Sequence, residues 1–247
     1  MKKLLLLAFV AIGITSCSVT SKSEEKKEMT VVGRKVAPFT EIHVNGSPTV
    51  IYTQAPKHSV KVKAAKNLID RIKTVSNGRC LTIETKGELS VWGFSRSSGS
   101  DFMVYVTSPD LTGVELSGSG DFKSEKPIDT DNIHLTVRGS GDLSIDGLLI
   151  CDNAQLSVTG SGDLEVDNLE AITSGITLIG SGSLKVKQRN VVNTQMQLTG
   201  SGYITLECEA CDNVNSQLTG SGDITIRGSV KKINKTKAGS GEYKVEK

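Results

Sequence analysis

Large rings are scarce in this 247-residue chain: five Phe, four Tyr and one Trp. Its length allows a substantial core, but small and branched side chains must fill it. Histidine is rarer still, and His43, His58 and His134 are scattered, with no Ser, Asp or Glu placed beside them as a triad would require. No His cluster accompanies Cys208 to complete a zinc site. Concentrated Lys and Arg are missing from the middle of the chain, where Asp121 to Glu170 holds 11 acidic residues against Lys123, Lys126 and Arg138. Phosphate binding needs clustered cations, so nucleic acid is excluded as a partner of that stretch. Long apolar runs are also lacking after the first residues. The composition therefore predicts no catalytic residue, no metal and no cofactor.

The chain begins as export signals do. Lys2 and Lys3 supply the charge, and Leu4 to Ile14 is apolar but too short for a stable bilayer span. Ile14-Thr15-Ser16-Cys17 resembles the lipobox of bacterial lipoproteins, which implies cleavage after residue 16 and acylation of Cys17. Each buried methylene adds roughly 0.8 kcal/mol, so two or more acyl chains hold a protein on a membrane. Residues 18–29, with Glu24, Glu25, Lys26, Lys27 and Glu28, have almost nothing to bury and read as a tether reaching at most ~40 Å. The expected organisation is a signal peptide over 1–16, a lipidated Cys17 with tether over 17–29, and one domain over 30–247. Its membrane partner is then the outer membrane, with the periplasmic or the outer face left open.

Self-similarity decides the fold. Gly-Ser-Gly recurs seven times, starting at Gly118, Gly139, Gly160, Gly180, Gly200, Gly220 and Gly239, at spacings of 21, 21, 20, 20, 20 and 19. Apolar residues alternate on both sides of each triplet, as in strands with one buried face. Leu156 and Val158 precede Gly160, and Leu164 and Val166 follow it; Leu135, Val137, Leu143 and Ile145 fill the same columns one repeat earlier, and Ile176, Leu178, Leu184 and Val186 one repeat later. Glycine suits a tight corner because it tolerates positive φ and has no side chain to meet the corner stacked on it. Seven residues before the triplets stand Asn132, Asn153, Thr173, Asn193 and Asn213, a column suited to side-chain ladders. No such repeat can bury its apolar face alone, whereas stacked coils close a continuous core. The expected fold is all-β: a right-handed parallel β-helix with about 20-residue coils, regular from about residue 114 and irregular before it. A propeller needs blades of about 40 residues and fits less well.

Phe39-Thr40-Glu41-Ile42-His43-Val44, Asn67-Leu68-Ile69, Ser108-Pro109-Asp110-Leu111, the lipobox and the Gly-Ser-Gly-Asp corners together resemble the "Putative auto-transporter adhesin, head GIN domain" family. The resemblance covers residues 30–247. It implies a right-handed β-helix carried by lipoproteins of Bacteroidetes, with an adhesive role suggested by the family's name and no assigned biochemistry.

Outside the repeats, Ile42/Val44, Val60/Val62, Leu81/Ile83 and Val104/Val106 alternate and read as irregular coils of the same stack, with a helical turn over 67–72 covering its open end. Lys231, Lys232, Lys235, Lys237, Lys244 and Lys247 read as charge protecting the other end. Asp121, Asp142 and Asp163 follow successive corners, about 5 Å apart if stacked, and are read as corner caps rather than calcium ligands. Calcium-binding Gly/Asp repeats have a nine-residue period. Cys151 and Cys211 share a column with Thr130, Ala171, Val191 and Val230 and read as core fillers; Cys208-Glu209-Ala210-Cys211 is a weak redox or metal signal by itself. Trp92, Phe94 and Arg96 form the sharpest sugar-stacking candidate, although such rings more often pack a loop base. The expected function is a non-enzymatic, lipid-anchored binding or adhesion module with a glycan or protein ligand. The rival is a polysaccharide-active enzyme, disfavoured because the coils keep a near-constant length and offer no long loops to build a cleft. No motif bears on the oligomeric state.

Overall fold

The computed structural model describes residues 29–85 and 102–246. Its strands form one 18-stranded sheet that winds on itself as a β-solenoid of about 7 turns. The first ten strands are short: β1 (Met29–Arg34), β2 (Glu41–Gly46), β3 (Thr49–Gln54), β4 (Ser59–Ala65), β5 (Ile72–Ser76), β6 (Cys80–Thr85), β7 (Phe102–Ser108), β8 (Gly113–Gly118), β9 (Asp121–Ser124) and β10 (Ile128–Asp129). The regular stack follows as β11 (Asn132–Gly139), β12 (Asp142–Gly160), β13 (Asp163–Gly180), β14 (Ser183–Arg189), β15 (Asn193–Gly200), β16 (Tyr203–Gly220), β17 (Asp223–Ala238) and β18 (Tyr243–Glu246).

Each regular coil has three runs. The run before the triplet pairs in parallel with its counterpart in the next coil, residue for residue, from Asn132↔Asn153 to Gly139↔Gly160. The run after it does the same, with Leu143↔Leu164 and Ile145↔Val166. A register shift between Ile145 and Leu148 then opens a third run, where Leu149 pairs with Leu169 and Cys151 with Ala171. The twelve column residues from Leu135 to Val186 predicted as core are all at most 1% exposed. Burying each such side chain is worth roughly 1.5–3 kcal/mol.

The corners need glycine for two reasons. Gly160 has φ of +125°, and a Cβ placed there would lie 2.5 Å from the carbonyl oxygen of Gly139 in the coil below. That oxygen accepts hydrogen bonds from the N–H groups of Ser161 and Gly162, both at 2.9 Å. The coils therefore touch through backbone at every corner. The Asn column is a ladder: Asn153 Nδ2 donates to Asn132 Oδ1 at 2.8 Å, and Thr173 Oγ1 donates to Asn153 Oδ1 at 2.6 Å.

The stack does not follow chain order at its first end. β2 lies between β6 and β8, and β3 lies between β7 and β9, so the first coil made is sandwiched by two later ones. Gly46 pairs with Gly118 and has φ of +99°, making Gly46-Ser47-Pro48 an eighth corner without the triplet. Chain reversal then adds antiparallel strands: β4 on β7, β1 on β4 and β5 on β6. Residues 30–110 thus continue the stack as irregular coils, in an order that departs from chain order. A short 3-10 helix, Ile69–Arg71, packs Leu68 and Ile69 inward at this end, and Arg34 Nη2 donates to the carbonyl of Ile69 at 2.9 Å.

At the other end the core columns change character. Ser216 pairs with Lys235 and Leu218 with Lys237, so both lysines stand in columns that are apolar in earlier coils. Tyr243 occupies the column of Ile224 and its hydroxyl meets Ser216 Oγ at 3.0 Å. Lys235 Nζ sits 5.6 Å from the Tyr243 ring centroid, and Lys237 Nζ donates to the Gly241 carbonyl at 2.9 Å. An apolar coil stacked there would have to bury two ammonium groups, which is costly.

Candidate functional site

Side chains alternate in and out along each run, so outward residues of stacked coils form flat rows. On the run before the triplet, the outward columns are Asn153, Thr173, Asn193 and Asn213; Gln155, Gly175, Gln195 and Asn215; Ser157, Thr177, Gln197 and Gln217; and Thr159, Ile179, Thr199 and Thr219. No charged residue occurs in these four columns over four coils. Gly175 interrupts one column, and a shallow groove of about 360 Å³ runs past Gln155, Gln195, Gln197, Asn215 and Gln217. Amide and hydroxyl groups both donate and accept, so this face presents hydrogen-bonding capacity without a net field.

The run after the triplet is its opposite. Asp142, Asp163, Glu165, Asp167, Lys185, Glu207 and Arg227 face outward there. Pairs across coils neutralise much of it: Lys185 with Glu165, Lys123 with Asp146 at 3.0 Å, and Arg227 with Glu246 at 2.8 Å. Exposed pairs of this kind contribute little, about 0–1 kcal/mol each. The corner aspartates bond along the stack. Asp163 Oδ1 accepts from the Ser183 N–H at 3.0 Å, and Asp223 Oδ1 from the Glu242 N–H at 2.8 Å. Desolvation, with Asp163 and Asp121 beside it, lifts the Asp142 carboxyl above the usual carboxylate range.

The four cysteines of the described residues are buried free thiols. Cys208 and Cys211 flank a further register shift, across Ala210 at φ +55°. Between them reaches the amide of Gln188, whose Nε2 lies 3.6 Å from Cys208 Sγ and 3.5 Å from Cys211 Sγ. The same amide donates to Thr194 Oγ1 at 2.7 Å, while its Oε1 accepts from Ser174 Oγ at 2.9 Å. The polar atoms of this buried knot are all partnered within the core. The Cys211 thiol donates to the carbonyls of Gln188 and Glu209, both at 3.9 Å, and the neighbouring Cys211 together with burial pushes the Cys208 thiol above the ordinary thiol range.

Residues 38–171 and 167–247 match the family described as "Putative auto-transporter adhesin, head GIN domain". The chain belongs to that family. Solved structures share the fold of this head GIN domain. A putative adhesin from Bacteroides fragilis NCTC 9343 is 21% identical with a TM-score of 0.75, covering 89% of this chain and 97% of that one. A putative adhesin from Parabacteroides distasonis ATCC 8503 is 22% identical with a TM-score of 0.70, covering 90% and 98%. A "Putative lipid binding protein" from the same organism is 21% identical with a TM-score of 0.69, covering 89% and 97%. No curated protein matches the chain. An adhesin-type family of this kind fits a cell-envelope or surface location and a role in binding. No helix of the described residues is long and apolar enough to cross a membrane.

The signal peptide over 1–16, Cys17, tether residues 18–28, and Trp92, Phe94 and Arg96 lie outside the described residues, whereas Met29, read as the tether's last residue, is the first residue of β1 and pairs with Ala65. His58 packs edge-on against Phe39, with ring centroids 5.0 Å apart. His43 and His134, treated as isolated from the sequence, line one hollow with Glu41, Arg79 and Glu115. Cys80 joins them: donor atoms of Glu41, His43 and Cys80 all lie within 4.8 Å of one another. Glu41 and Cys80 are Cα partners 39 positions apart, brought together only because β2 is laid against β6. The alternation Glu41-Ile42-His43 was the one available signal that two of these side chains share a face.

Proposed function

We propose that this head GIN domain is a non-enzymatic binding module held on the cell envelope through acylated Cys17, and that its charge-free face binds a neutral glycan. One observation carries the ligand class: four adjacent outward columns offer amides and hydroxyls at every position but Gly175 and Ile179, and no charge, on a molecule whose neighbouring face is densely charged. Sugar hydroxyls pair well with groups that both donate and accept. The area argues in the same direction. Six residue steps by four coils cover ~20 Å by ~19 Å, or ~400 Å², by strand geometry. A stable protein interface takes about 800 Å² per partner, so the face is better sized for a few sugar rings. The named adhesins among the solved relatives support a binding role, and the low residue-level identity leaves their ligands out of the argument.

The test is a glycan array probed with the purified chain, beside variants Gln197→Glu and Gln217→Glu. Both substitutions change exposed outward residues and leave the core columns untouched. Binding to neutral glycans that either charge weakens supports the reading. Binding confined to acidic glycans, binding indifferent to both substitutions, or measurable cleavage of any polysaccharide would reverse it. The anchor has its own readout, since Cys17→Ala is expected to release the protein from membranes; retention there would refute acylation at this residue.

A further inference from the structure

The hollow on the first coils has the donor set of a metal site. Glu41 and His43 stand two residues apart on β2, so their side chains leave the same face, and Cys80 is the Cα partner of Glu41 on the adjoining strand. Their donor atoms lie within 4.8 Å of one another. In a tetrahedral zinc centre, bonds of about 2.0–2.3 Å hold the donors ~3.5 Å apart, so a contraction of roughly 1 Å, within reach of side-chain rotation, suffices. Glu115 Oε2 is 4.0 Å from His43 Nε2 and lies on β8, on the other side of β2. The space above β8 is open because Gly113 stands there: a Cβ at that position would come 3.3 Å from Glu41 Cγ.

We propose that Glu41, His43 and Cys80, with Glu115 as the nearest further carboxylate, bind a divalent cation of the zinc class. The mixture of thiolate, imidazole and carboxylate selects zinc or its chemical neighbours over calcium and magnesium, which take oxygen ligands. The carboxylates are already oriented. Arg79 holds Glu41 Oε1 through Nε at 3.0 Å and Nη2 at 2.8 Å, and Arg138 Nε holds Glu115 Oε1 at 3.0 Å. Hydrogen bonding to one oxygen of a carboxylate ligand while the other meets the metal is a common outer-shell arrangement. The two guanidinium groups work against a bound cation electrostatically. The buried Cys80 sulfur, which loses its proton on binding, supplies the compensating negative charge. The site lies in the same outward columns as the charge-free face, three coil steps before Gln155 and Ser157, and does not depend on it.

The experiment titrates the metal-free full chain with zinc by calorimetry and with cobalt by absorption. Saturable one-to-one binding and a thiolate-to-cobalt charge-transfer band are expected. Cys80→Ser should abolish the band, and Cys80→Ser and His43→Gln should each weaken binding roughly tenfold or more. The double variant Cys208→Ser/Cys211→Ser should leave both readouts unchanged. Circular dichroism checks the fold of each variant, and Glu41→Gln supplies the same affinity test should Cys80→Ser fail to fold. No saturable binding, binding that survives both Cys80→Ser and His43→Gln, or binding lost only in the Cys208/Cys211 variant would overturn the assignment.

Discussion

Replacing Gly160 with Ala adds one methyl group to the middle of the stack and should be far more damaging than its size suggests. The backbone there has φ of +125°, a conformation that costs an L-residue of order 1–3 kcal/mol. The new Cβ would also sit 2.5 Å from the Gly139 carbonyl oxygen, which is backbone and cannot rotate away. Restoring an ordinary contact pushes the coils apart by roughly 1 Å and weakens the two hydrogen bonds that converge on that oxygen, each worth about 0.5–1.5 kcal/mol. The combined loss is about 3–5 kcal/mol, or on the order of 10 °C in Tm for a domain of this size. The control is Gly33→Ala on β1, where nothing lies within 4 Å of the added carbon and φ is not positive, so the effect should stay within about 0.5 kcal/mol. Urea and thermal denaturation followed by far-ultraviolet circular dichroism measure both. Equal effects of the two substitutions, or a loss below ~1 kcal/mol at Gly160, would refute the claim that coils meet through glycine backbone.

Two further outcomes follow from the ends and the carboxylate row. The double substitution Lys235→Leu/Lys237→Leu makes the terminal coil's inward columns apolar, so it should produce concentration-dependent association in analytical ultracentrifugation; a variant that stays the size of the parent would mean the lysines do not guard that end. For Asp142, the folded state raises the carboxyl pKa, chiefly by desolvation and then through Asp163 and Asp121. The folded protein therefore binds this proton more tightly than the unfolded chain, and stability from this group falls as pH rises through its titration range. Asp142→Asn should raise the denaturation midpoint at neutral pH, with the gain shrinking as pH falls below the usual carboxylate range. A gain that grows in acid would contradict the sign.

Much of the solenoid was readable because its physics is periodic. Leu156, Val158, Leu164 and Val166 point inward for the same reason as their counterparts one coil away, and Asn153 finds Asn132 because strands stack at a fixed spacing. The pattern failed where a local irregularity reset the period. The register shift after Ile145 hid the third run, and Pro48, standing in place of the triplet's last glycine, hid the corner at Gly46. Gln188 also defied its column, where Leu149 and Leu169 precede it; a buried amide is tolerated because Ser174 and Thr194 satisfy it from another run. The charge-free face was present in the sequence as every second residue before each triplet, but it becomes a surface only after the rows are aligned. The Glu41, His43 and Cys80 group was invisible for a topological reason, because the sandwiching of β2 between β6 and β8 has no periodic trace.

Distances between spin labels at the corner serines test the stacking most directly. With the native cysteines replaced, one label at Ser119 is paired in turn with labels at Ser201, Ser221 and Ser240, which are exposed. Strand spacing predicts separations rising by ~4.8 Å per coil, to ~29 Å for the outermost pair. Separations that do not lengthen with coil number would mean that the glycine corners do not lie over one another, and the core columns, the charge-free face and the end caps would fall with them.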